Sequence, residues 1–215
     1  MNSTMGHHVA LLGDSIFDNR SYTRGAPDVA THLKTLLRPP WRVSLCAVDG
    51  STVADLAQQF SKVPGDVSHL MVSIGGNDAL LNSDLLALPV SSTSEALALF
   101  GERVSRFEEA YRLAVESALA LGLDTTICTI YNGNLDAAVA PLARIALMMF
   151  NDVILRVAVE NSLRVIDLRQ VCTDAPDYSN SIEPSGSGGR KIAVAIAKAL
   201  GAVEGEVGHA RVYAG

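Results

Sequence analysis

The sequence predicts an α/β protein: a three-layer α/β/α sandwich around a flavodoxin-like, five-stranded parallel sheet. Two observations carry the prediction. Five short apolar runs alternate with longer segments of helical periodicity, the order that folds into a parallel sheet with right-handed crossovers. Four of the runs lack the in–out alternation of a half-exposed strand, as expected where helices cover both faces of the sheet.

The elements follow in order. The first strand, His8–Gly13, closes on Gly13-Asp14-Ser15, and a helical pattern over 26–37 is ended by Pro39-Pro40, since proline cannot continue a helix. A second strand over 43–48 ends in Asp49-Gly50-Ser51 and leads to a helix over 53–60. The third, 69–74, ends in Gly75-Gly76-Asn77-Asp78; residues 82–95 then read as a lid or a plain connection to a long helix over 94–121. The fourth, 125–130, ends in Tyr131-Asn132-Gly133-Asn134 before a helix over 138–160. A fifth strand over 164–168 and a helix over 188–200 complete the pattern, leaving a Gly-containing tail over 201–215. At 215 residues the chain reads as one domain, with its core over about 8–200, and is short for two.

Composition excludes several classes of partner. Apolar residues at 48% against 19% charged argue for a packed core rather than disorder. A net charge of -6, a pI near 5.3 and no basic run longer than Arg190-Lys191 give no electrostatic reason to bind nucleic acid or an anionic membrane. No stretch approaches the roughly 18 apolar residues of a membrane span. Residues 1–8 lack the basic and apolar regions of an export signal, so a cytoplasmic location is expected. Cys46, Cys128 and Cys172 stand alone, as reduced and buried thiols would. No cofactor and no metal is expected, because no spacing matches a metal loop.

In a parallel sheet the ligand crevice lies beyond the carboxyl ends of the strands, where the polar turns converge. Ser15 stands where the chain leaves the first strand. A serine there is ordinarily a turn or cap residue, but the same position exposes a hydroxyl and a backbone N–H to the crevice. Gly50 offers a bare N–H, and Asn77 a side-chain amide. Alone, each is common turn chemistry. Together at successive strand ends they form a set of donors for a developing oxyanion, each worth on the order of 3 kcal/mol. Asp14 and Asp78 read as hydrogen-bonding turn residues, and Tyr131 and Asn132 as pocket lining or simple turn residues. Asp18, Asn19, Asp174, Asp177 and Tyr178 read as the rim.

Gly13-Asp14-Ser15-Ile16, then Gly50, then Gly75-Gly76-Asn77-Asp78, resembles the SGNH (GDSL-type) hydrolase superfamily in order and spacing. The resemblance spans about 8–200. It implies the sandwich fold already read from the pattern, Ser15 as nucleophile, and the Ser15 N–H, Gly50 N–H and Asn77 amide as the oxyanion hole. It also implies an ester or acylated small molecule as substrate, and a monomer or homodimer.

One element departs from the family. Where the family carries Asp-x-x-His-Pro, this chain reads Asn180-Ser181-Ile182-Glu183-Pro184-Ser185. Glu183 takes the place of the histidine base and Asn180 that of its aspartate. His7, His8 and His69 fall at the opposite edge of the sheet, His32 within the first helix and His209 in the tail. An Asn180 amide donating to the Glu183 carboxylate would make the exchanged pair compatible. Burial beside Ile182 and Pro184 would lift Glu183 toward the range of a useful base. Ser185 reads as pocket lining. Arg190 and Lys191, unfavourably placed for the dipole of the last helix, point to a carboxylate nearby, Glu183 or a ligand's. The expected function is cleavage of small esters through a Ser15 acyl-enzyme. The alternatives are an inactive ligand-binding module on the same fold and an acyltransferase.

Overall fold

The computed structural model of the protein describes residues 7–203. Strand β1 (His8–Gly13) is buried at every position because strands lie on both sides of it and helices on both faces. The sheet order is β2-β1-β3-β4-β5, with β2 (Arg42–Leu45), β3 (His69–Ser73), β4 (Asp124–Cys128) and β5 (Arg164–Ile166). All four pairings are parallel. The chain runs outward from β1 to β2, then returns to β3 on the other side. This reversal opens the crevice between the carboxyl ends of β1 and β3.

The period-2 geometry of β1 divides the core in two. Ala10 and Leu12 face Leu70, Val72, Phe107, Tyr111, Phe150 and Ile154, beneath α2 (Leu56–Phe60), α4 (Thr93–Leu119) and α5 (Ala140–Glu160). Val9 and Leu11 face Leu33, Ile192 and Ile196, beneath α1 (Val29–Leu37) and α6 (Gly186–Ala199). Asp28 caps α1 through the Thr31 N–H, Ser92 caps α4 and Ser185 caps α6. The three cysteines are buried and unpaired. Among the described residues, no helix is long and apolar enough to cross a membrane.

Strand ends fall up to three residues short of the apolar runs, because hydrogen-bonded pairing stops where the chain bends toward each turn. The larger difference is between β3 and α4. Gly76–Leu81 is a helix, α3, followed by a 3-10 turn at Ser83–Ala87. The polar Gly76-Asn77-Asp78 start conceals that helix in the sequence. Residues 82–95 therefore include a structured arm.

Gly13 sets the closeness of β1 and β3. It adopts a φ of 131°, and a Cβ there would lie 1.8 Å from the Ser73 carbonyl oxygen. Asp14 N–H donates to that same oxygen at 3.2 Å. Gly13→Ala is expected to cost about 3 kcal/mol or more, by enforced backbone movement at an unfavourable φ. Chemical denaturation measures this, and a loss under about 1 kcal/mol would contradict the close approach.

Candidate active site

A pocket of about 980 Å³, part of it open to solvent, lies at the β1–β3 crevice. Asp14, Ser15 and Ile16 enter it from the end of β1, Gly76 and Asn77 from α3, and Tyr131 and Asn132 from the turn after β4. Glu183 enters from the loop before α6. The remaining wall is apolar: Leu80, Leu86, Phe100, Leu135, Leu147 and Phe150 among others.

The turn after β1 is built on Asp14, whose carboxylate accepts the Ile16 N–H at 3.0 Å while its carbonyl accepts the N–H groups of Phe17 and Asp18. Ser15 is thereby held at the mouth of the turn. Among the described residues nothing accepts a hydrogen bond from the N–H of Ser15 or of Gly50. Asn77 donates one amide hydrogen to the Ser51 carbonyl at 2.8 Å, which leaves its second amide hydrogen available.

Glu183 is presented by a closed loop. Ser179 N–H donates to the Glu183 carbonyl, and Tyr178 and Pro184 form an isolated antiparallel bridge. The Tyr131 hydroxyl donates to the Ile182 carbonyl, and the Asn19 amide to the Pro184 carbonyl. Gly133 is needed beneath the loop, since a Cβ there would lie 2.7 Å from the Ser181 carbonyl oxygen. Glu183 is only 7% exposed, and among the described residues its Oε2 has no hydrogen-bond partner. Burial raises its pKa; the Ser15 hydroxyl, lying close to the carboxyl, pulls it partly back. No formed Ser15–Glu183 hydrogen bond joins the pair, whose contact falls outside hydrogen-bond geometry. Asp14 is shifted further, to about 7, by burial first and then by the nearby charges of Glu183 and Asp78, against the opposing Ile16 N–H.

The structure thus brings together Asp14, Ser15, Asn77, Tyr131, Asn132 and Glu183. Several other expectations are corrected. Asn180 does not donate to the Glu183 carboxylate; its side-chain oxygen accepts the N–H groups of Ile182 and Glu183 at 2.9 and 2.8 Å. The tight loop turns two N–H groups inward, and an Asx-type turn satisfies both. Ser185 does not line the pocket, because its hydroxyl caps α6 and bonds the Pro176 carbonyl. Asp78 faces away and accepts the Val53 N–H. Gly50 lies on an exposed turn at φ 80° and is no part of the apolar lining, but among the described residues its N–H is free and the next residue, Ser51, holds the Asn77 amide. Lys191 pairs with Asp174 and Asp177, not with Glu183.

The rim residues are also placed elsewhere. Asp18 accepts the Asp49 N–H, Asn19 ties α1 to Pro184, and Tyr178 donates to the Cys172 carbonyl. No described histidine lines the pocket. His8 meets Asp66 and Ser44, His69 meets Ser68, and His32 reaches the Gly186 carbonyl. His209 lies outside the described residues. Among the described residues, no group of three or more His, Cys, Asp and Glu is placed to hold a metal ion.

A family model for the GDSL-like lipase/acylhydrolase family matches residues 11–190. The chain belongs to that family of esterase-type hydrolases. No curated protein matches the sequence significantly. Solved structures share the fold. A catalytic mutant of Axe2, an acetylxylan esterase from Geobacillus stearothermophilus, aligns with a TM-score of 0.68 at 20% identity, covering 96% of this chain and 100% of that one. An acetyl xylan esterase, AlAXEase, gives 0.67 at 14%, covering 90% and 99%. An extracellular lipase from Streptomyces rimosus gives 0.64 at 16%, with the same coverage.

Asp14 makes the stability pH-dependent. Its carboxyl titrates near 7 when folded, against an ordinary value of 3.8. Between these values the folded chain keeps a proton that the unfolded chain releases, so stability falls as pH rises from about 4 to about 7. Asp14→Asn keeps an acceptor for the Ile16 N–H and is expected to flatten that slope in urea unfolding at about pH 5 and about pH 8. A slope as steep as the parent's would assign the titration to another group.

Proposed function

We propose that the protein hydrolyses esters of apolar carboxylic acids through a Ser15 acyl-enzyme, with Glu183 as general base. The observation that carries the reading is the buried Glu183 carboxyl beside the Ser15 hydroxyl, one of its oxygens unpartnered. An ordinary carboxylate is too weak a base for a serine hydroxyl. Desolvation raises its proton affinity toward the working pH, where general-base assistance is most effective.

In this reading the Ser15 oxygen attacks the acyl carbon and its proton passes to Glu183. The oxyanion is met by the N–H groups of Ser15 and Gly50 and by the free amide hydrogen of Asn77. The tetrahedral intermediate collapses as Glu183 returns the proton to the leaving alcohol. Water, deprotonated by the same carboxylate, then releases the acid and restores Ser15. The Asp49 carboxylate adds to the basicity of Glu183 by like-charge repulsion, and the Glu183 charge in turn raises Asp14. Tyr131, whose phenol burial keeps neutral, fixes the Glu183 loop.

The acyl side is read from the wall. Leu80, Leu86, Phe100, Leu147 and Phe150 supply apolar surface, Ala79, Ala143 and Ala146 leave width, and among the described residues no Lys or Arg lines the space. A neutral acyl chain of several carbons fits this chemistry better than an acetylated sugar, which needs polar partners.

The test uses p-nitrophenyl acetate, butyrate and octanoate across pH. Activity is expected to rise with pH, its midpoint above the ordinary glutamate value of 4.5 and shared with Asp14, as coupled carboxyls titrate together. Ser15→Ala is expected to lower kcat by about 10³-fold or more, and Glu183→Gln by about 10² to 10⁴-fold. Unchanged turnover in Glu183→Gln removes the base assignment. Ala146→Phe is expected to lower kcat/KM for octanoate by about tenfold while sparing acetate, through lost pocket width; equal losses on both would move the acyl group out of this pocket.

A further inference from the structure

We infer that Gln59, which is not among the residues lining the pocket, is a positioning residue that holds Ser15, the Gly50 turn and Asn77 in one frame; the inference rests on the ester-hydrolase reading above. Gln59 lies in α2 and is 2% exposed. Its side-chain oxygen accepts the Gly13 N–H at 2.7 Å, and its amide donates to the Gly13 carbonyl at 2.8 Å and to the Ser51 hydroxyl at 3.1 Å.

The need for this clamp comes from the sheet. Strand pairing between β1 and β2 ends at Leu11↔Leu45, beyond which the Gly13 carbonyl accepts the Val48 N–H at 3.1 Å while, among the described residues, the Gly13 N–H finds no backbone acceptor on that side. Gln59 supplies that acceptor and a second donor to the carbonyl. It bonds both backbone groups of the residue two before Ser15, much as a neighbouring strand would. Its second amide hydrogen fixes Ser51, the residue directly after Gly50. The Ser51 carbonyl in turn accepts the Asn77 amide at 2.8 Å. One buried side chain therefore links the three segments that carry the oxyanion donors, and none of its hydrogen-bonding capacity goes to the substrate. Donor placement governs stabilisation of a tetrahedral oxyanion far more than it governs binding of the ground state.

Gln59→Met preserves side-chain length and removes all three hydrogen bonds. Parent and variant are compared, each well below its own Tm, for kcat and KM on p-nitrophenyl butyrate. The second readout is the rate of labelling by a p-nitrophenyl alkylphosphonate. In that reaction the Ser15 oxygen bonds to phosphorus, p-nitrophenolate leaves, and Glu183 takes the serine proton. The expected result is a fall of about 30- to 100-fold in both kcat and labelling rate, with KM changed less than about threefold. A variant that is merely less stable, and reacts at the parent's rate when folded, overturns the inference. Should Gln59→Met fail to fold, Ser51→Ala, which removes only one acceptor, decides. About a fivefold loss in both rates supports the linkage, and unchanged rates overturn it. A parent that neither cleaves esters nor takes the phosphonate overturns the hydrolase reading and this inference together. A reactive parent matched by its variants overturns this inference alone.

Discussion

Keeping a carboxyl group inside an apolar pocket with one oxygen unpaired is costly, and the loop around Glu183 exists to impose it. Such a group would ordinarily rotate into water or acquire a cation. Neither happens here. Asn180, Tyr131, Asn19 and Gly133 each hold the backbone on either side of Glu183, while Lys191, on the helix that follows, is engaged by Asp174 and Asp177. The protein spends backbone hydrogen bonds to restrict one side chain, and the result is a carboxyl whose proton affinity is set by desolvation rather than by a partner. That is the property a glutamate needs to act as base in the proposed reaction.

Much of this was legible in the sequence. Patterning identified all five strands, and the turn residues at their carboxyl ends located Ser15, Asn77, Tyr131 and Asn132 on one crevice. The frame of Asn180 to Pro184 located Glu183. What remained hidden depends on direction rather than position. Asn180 has both a donor and an acceptor, and only the loop's two inward N–H groups decide that the acceptor is used. Asp78 and Ser185 sit within a few residues of the pocket but turn toward a backbone N–H and a helix end. Gln59 carried no signal, being one of two adjacent glutamines in a short helix, distinguished from Gln58 only by which face of α2 is buried. The long wall contributed by α3, α4 and α5 was hidden because an apolar helix residue reads the same whether it fills a core or borders a cavity.

Asp14 shows how one residue can act structurally and electrostatically at once. Its carboxylate organises the turn that presents Ser15, which requires burial, and burial next to Glu183 couples the two titrations. Two acids in such proximity disfavour holding both charges. Burial is the main cause of the rise at Asp14, and the Glu183 charge adds to it, so the environment of the pocket, more than the turn, sets when Asp14 ionises.

The division of the core into two clusters bears on how such a protein diversifies. Ser15 and Gly50 belong to turns close to the sheet and Asn77 to the first turn of α3, whereas the pocket wall is drawn from the rest of α3, the arm at Ser83–Ala87, α4 and α5. Glu183 comes from the loop leading into α6, whose apolar side packs on the opposite face. Changes to helix residues over 79–100 and 135–150 can therefore reshape what enters the site while the strand-end groups stay where the sheet puts them. In the proposed reading, chemistry and selectivity fall largely to different parts of the sandwich, so a lineage could exchange one substrate for another without dismantling the groups that react with it.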